Sequence, residues 1–127
     1  MKWTHALALN VLAILAPIQP VLIATGVLIF ADLVLGLAAA WKRGEAITSA
    51  ALRRTISKIV IYNIAVISGF IVEKYLMSDL IPATKLIAGV IGAVELKSIL
   101  ENADTINGAP IFLSIIKSLG SQNDQPK

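Results

Sequence analysis

The stretch Val21-Leu22-Ile23-Ala24-Thr25-Gly26-Val27-Leu28-Ile29-Phe30-Ala31-Asp32-Leu33-Val34-Leu35-Gly36-Leu37-Ala38-Ala39-Ala40-Trp41 decides the fold. It holds 21 residues and a single charge, Asp32. As an α-helix rising about 1.5 Å per residue it reaches about 31 Å, enough to cross a hydrocarbon core about 30 Å thick. Asp32 then lies about 16 Å along the helix, near the midplane, where a carboxylate costs about 2.5–3.5 kcal/mol on insertion scales. Such a group is protonated, paired, or turned to water inside an assembly. Asn63 and Lys58 are its candidate partners within the chain. A pore-lining or proton-sensing position is the sharper alternative, and the sequence leaves both open.

The rest of the chain repeats this character. Of 127 residues, 57 % are hydrophobic and 15 % are charged, against about 25 % charged in ordinary soluble domains. Mean hydropathy is +0.81. A soluble globular enzyme and a disordered chain are both disfavoured. With no cysteine, disulfides and thiolate chemistry are excluded, and the lone histidine, His5, makes no histidine metal cluster. No nucleotide-binding glycine fingerprint, phosphate loop or nucleophile elbow is present. The sequence therefore predicts no catalytic residues, no cofactor and no metal.

Two further apolar stretches read as spans, at about residues 56–72 and 83–101, with Pro82 just before the second. The expected fold is all-α, a single membrane domain over residues 1–120 with three transmembrane helices at about 21–41, 56–72 and 83–101. A short apolar run, Ala6–Ala16, precedes Pro17-Ile18-Gln19-Pro20. It has the length of a signal-peptide core, but Ile14 and Pro17 flank the cut site badly. It reads as an interfacial, re-entrant or extra spanning helix. After the turn Asn107-Gly108-Ala109-Pro110, residues Ile111, Phe112, Ile115, Ile116 and Leu119 share one helical face, so an amphipathic helix is expected at the membrane surface. Residues 121–127 read as a polar tail.

Charge sets orientation. Lys42, Arg43, Arg53, Arg54 and Lys58 cluster in and beside the first loop, whereas the Glu73–Lys85 connection holds two basic residues. The positive-inside rule puts the first loop in the cytoplasm, the N-terminus outside and the C-terminus inside. The net charge of +3 is then topogenic charge and contact with anionic lipid, and no nucleic-acid partner is expected, because no stacking aromatics accompany the basic residues. Glu95 is the second acid deep in a span, and Lys58 is a fair partner for it. Lys97 and Glu101 are four apart and read as an interfacial pair. Asp32, Glu95, Asn63 and Lys58 are thus the expected buried polar groups of an oligomer seam. Small residues four apart, Gly36 with Ala40, Ala65 with Gly69, and Gly89 with Ala93, permit close helix packing in lipid.

Asp32-Leu33-Val34-Leu35-Gly36, then Ala40, Lys42, Gly44, Ser49 and Lys58, resembles the first half of a bacteriophage holin family. Glu95-Leu96-Lys97-Ser98-Ile99-Leu100-Glu101-Asn102, with Gly108, Pro110 and a short apolar helix, resembles its second half. Together these cover about Phe30 to Leu119. The resemblance implies a small protein of the host cytoplasmic membrane that homo-oligomerises and forms lesions, so that a cell-wall hydrolase reaches its substrate. It implies a tail junction shaped by Ser98, Glu101, Asn102, Gly108 and Pro110. A non-lytic membrane scaffold, or a holin-like protein associated with secretion, is the alternative. A proton-coupled transporter using Asp32 and Glu95 is a weaker third, since three spans without an internal repeat do not suit it.

Overall fold

A computed structural model describes residues 1–121, all five principal elements of which are helical. They are α1 (Lys2–Leu15), α2 (Gln19–Lys42), α3 (Ser49–Ile71), α4 (Ala83–Asn107) and α5 (Ile111–Ser121). The polar tail expected from residue 121 lies, beyond Ser121, outside the described residues.

The two prolines near residue 18 do not separate α1 from α2. Residues Ala16–Ile18 form a 3₁₀ turn, and Pro20 falls in the first turn of α2, where its missing N–H costs no helical bond. Trp3–Lys42 is therefore a 40-residue helical run. At about 1.5 Å per residue it is about 60 Å long, twice a hydrocarbon core. The N-terminal helix also starts earlier than the run Ala6–Ala16 suggests. Two helical runs, Trp3–Lys42 and Ser49–Leu76, are long and apolar enough to cross a membrane. Helix α4 is long enough, but every 18-residue window in it holds at least three charges among Lys85, Glu95, Lys97, Glu101 and Asp104.

Helices α2, α3 and α4 pack together. Ile18, Val66, Phe70 and Ile91 form the apolar core, with Leu15, Val21, Leu22, Tyr62, Ile67 and Ile87 against it. Gly69 permits the close approach of α3 to α4, since a Cβ there would stand 2.6 Å from Ile87 Cδ1 and 3.4 Å from the Ala83 carbonyl oxygen. Lys42 at the end of α2 donates to the carbonyl of Ile106 near the end of α4. The two helices thus run the same way, with α3 antiparallel between the loops.

Apolar side chains cover much of the surface as well as the core. Glu95, Asp104, Thr25 and Thr84 are buried, while Ile56, Ile59, Val60, Ile61 and Ile64 of α3 face outward. An apolar surface of this extent is uncommon on soluble monomers. It suits a solvent of lipid, in which polar groups must find partners inside the protein.

Two helices are capped by remote carboxylates. Glu73 Oε2 accepts from the backbone N–H of Thr84 at 2.8 Å, in the first turn of α4. Both oxygens of Asp104 accept from α5, from Phe112 N and Leu113 N at 2.9 Å each. First-turn N–H groups have no partner within their own helix. Helix α3 closes with a π turn over Val72–Leu76, and Met77 N donates to the Val72 carbonyl. Gly108 ends α4 in the left-handed region, with φ +78°, as a C-terminal glycine does.

Candidate functional site

Asp32 of α2, Lys58 of α3 and Glu95 of α4 meet at one depth. Counted from the loop-side helix ends, Asp32 is ten residues in and Lys58 nine, about 14–15 Å at 1.5 Å per residue. That distance is about half the thickness of a 30 Å hydrocarbon core.

The contacts form an unbroken chain across three helices. Lys58 Nζ donates to Asp32 Oδ2 at 2.8 Å and to Glu95 Oε2 at 3.0 Å. The hydroxyl of Tyr62 donates to Glu95 Oε1 at 2.8 Å. Asn102 Nδ2 donates to Asp32 Oδ1 at 3.1 Å. Each carboxylate thus accepts two hydrogen bonds, one charge-assisted from the ammonium and one from a neutral donor. Glu95 is fully buried, whereas the Asp32 and Lys58 side chains keep 14 % and 31 % exposure. Two carboxylates face one ammonium, so the formal charge of the fully ionised cluster is −1.

Helical spacing explains who joins. Tyr62 is four residues after Lys58, on the same face of α3, and Asn102 is seven after Glu95, on the same face of α4. Sequence reasoning brought Asp32, Glu95 and Lys58 together but missed Tyr62 and assigned Asn102 only to the tail junction. The four- and seven-residue spacings were the available signal. Asn63 is not in the cluster. It follows Tyr62 by one residue, so it points roughly 100° away around the helix, and its side chain donates to the Ile59 carbonyl at 2.7 Å.

The remaining predicted residues divide. Gly36 faces Asn102, and a Cβ there would stand 3.5 Å from Asn102 Nδ2. Gly89 has open space around it and Ala93 is exposed, so that small pair is unused within the chain. Arg43 pairs with Glu45 in the loop at 2.7 Å, and Arg53 and Arg54 are exposed. Two hydrogen bonds from Arg43 hold the Glu45 carboxyl below its ordinary range. Lys97 and Glu101 lie 3.6 Å apart. Among the described residues no group of three or more His, Asp and Glu is placed to hold a metal.

The sequence model of the bacteriophage holin family matches residues 10–122. The chain belongs to that family. Comparison with curated proteins and with solved structures gives no match. Bacteriophage holins are non-enzymatic membrane proteins, and the exposed apolar surface of this helical chain accords with a membrane protein. The match also takes in the end of α1, the 3₁₀ turn and the start of α2, which extends the sequence resemblance toward the N-terminus.

Proposed function

We propose that this holin-family chain is itself a holin: it collects in the host cytoplasmic membrane, associates with copies of itself, and opens lesions through which a cell-wall hydrolase passes. The observation that carries this reading is the family match over residues 10–122. The apolar surface supports it, since the exposed isoleucines of α3 need lipid.

In this reading α2, α3 and α4 all span. Glu95 costs α4 less than its charge suggests, because Lys58 and Tyr62 meet it inside the bundle. The loop carrying Lys42, Arg43, Arg53 and Arg54 faces the cytoplasm, with α5 lying on that surface, while α1 continues beyond the opposite end of the bundle. Gly89 and Ala93 are the small pair left for contact between copies. In the closed protomer Lys58, Tyr62 and Asn102 satisfy the two acids, and opening turns the Asp32, Lys58 and Glu95 groups toward water.

Induction in a bacterium, with membrane potential followed over time and lysis scored with and without a co-expressed hydrolase, tests the reading. The expected result is abrupt depolarisation, with lysis only when the hydrolase is present. High expression without depolarisation refutes lesion formation. Asp32→Asn shifts the time of depolarisation if the cluster sets the trigger, and an unchanged time removes that role.

A further inference from the structure

A cavity of about 400 Å³ opens beside the loop that joins α2 to α3 and descends to the charge cluster. Loop residues including Glu45 and Thr48 line one end of it, and Asp32 and Lys58 line the other. Small side chains on two facing helices leave the space, Gly36 and Ala40 on α2 and Ser98 on α4. At about 30 Å³ per water it has room for roughly a dozen. Apolar cavities stay dry, whereas a cavity whose polar groups give each water several partners fills. Here the wall offers a carboxylate, an ammonium, the Asn102 amide and the hydroxyls of Ser98 and Thr55.

The cavity stops at the cluster. Glu95 is fully buried behind Lys58. Beyond it come Val66, Phe70, Ile91 and Ile18, all buried and apolar. One side of the cluster is thus a polar hollow and the other a packed hydrophobic plug. The residual exposure of Asp32 and Lys58, against none for Glu95, follows the same division.

We propose that this cavity is an aqueous inlet within each protomer, admitting water and small hydrated solutes from the loop side as far as Asp32 and Lys58, and closed beyond them. It rests on the reading of α2–α4 as a membrane-spanning bundle. A path for water and small solutes through one protomer then lacks only its far half, while a lesion wide enough for a protein is still built between copies. The plug is the part that must move.

The native chain has no cysteine, so each engineered thiol is the sole target of a membrane-impermeant, negatively charged methanethiosulfonate. The full-length chain is labelled in right-side-out and in inverted membrane vesicles. Ala46→Cys marks the loop side and Leu80→Cys the opposite side. Ser98→Cys and Thr55→Cys, both close to isosteric, probe the inlet. Val66→Cys probes the plug, and Ile64→Cys a lipid-facing position. The expected result is labelling of Ser98→Cys and Thr55→Cys from the Ala46→Cys side alone, with Val66→Cys and Ile64→Cys silent from both. Silence at both inlet positions while Ala46→Cys and Leu80→Cys react from opposite sides overturns the inlet and leaves the bundle standing. Labelling of Val66→Cys as fast as Ser98→Cys overturns the plug. Reaction of Ala46→Cys and Leu80→Cys from the same side overturns the spanning bundle, and the inlet with it.

Discussion

Replacing Lys58 by Met removes the one cation that two carboxylates share. Met keeps an unbranched side chain, so packing is disturbed little and the change is chiefly electrostatic. Glu95 is then fully buried with only the Tyr62 hydroxyl as a partner, and Asp32 keeps only the Asn102 amide. Breaking a buried ion pair by deleting one partner costs about 3–5 kcal/mol, because the other charge stays buried and uncompensated. Glu95 carries most of this, since Asp32 retains some exposure to the cavity. At about 1.4 kcal/mol per decade, a loss of that size lowers the folding equilibrium constant by roughly two to three and a half orders of magnitude. The assay is reversible unfolding in mixed micelles of rising denaturing-detergent fraction, followed by circular dichroism. Three proteins are compared: the native chain, Lys58→Met, and the triple variant Asp32→Asn, Lys58→Met, Glu95→Gln. The triple variant has no unpaired charge and recovers most of the loss, as replaced buried pairs commonly do. A Lys58→Met cost below about 1 kcal/mol, the range of exposed pairs, refutes the reasoning. So does a triple variant no more stable than Lys58→Met.

Asp104→Ala removes both acceptors from the first turn of α5. Loss of a cap costs about 0.5–2 kcal/mol, seen as faster proteolysis between Gly108 and Leu113 with the bundle intact. Gly69→Leu drives a side chain into Ile87 and the Ala83 backbone, costing about 1–3 kcal/mol by overpacking, whereas Gly89→Leu leaves monomer unfolding unchanged and lowers the yield of cross-linked oligomers in membranes. The Arg43–Glu45 pair forms once Glu45 ionises and is lost as pH falls through its lowered folded value. Carboxyl chemical shifts follow this directly, and Arg43→Gln returns Glu45 to the ordinary range.

The helices were legible because apolar runs and turn residues are local signals. Gly44, Pro82 and Gly108 mark where helices give way, and α4 begins at Ala83 as its pattern indicates. Asp32, Lys58 and Glu95 were legible for a different reason: a charge in an apolar helix needs a partner, and few were available. Tyr62 and Asn102 were hidden because neither carries a charge that demands explanation. Glu73 and Asp104 look like ordinary residues of a connection and of a helix end. Their work is visible only when another helix start arrives beside them. The continuity of α1 with α2 was hidden too, since two prolines usually signal a break, and it takes the 3₁₀ turn to show how they fit within a helical run.

The remote caps have a directional consequence. Glu73 precedes the helix it completes, and Asp104 precedes the next. In each case the acceptor leaves the ribosome before the N–H groups that it will receive. The end of α3 can therefore prepare the start of α4, and the end of α4 the start of α5, so assembly can proceed in the order of synthesis. A chain cut after α4 would lack only its last dependent, whereas one beginning after Glu73 would have to start α4 without an acceptor.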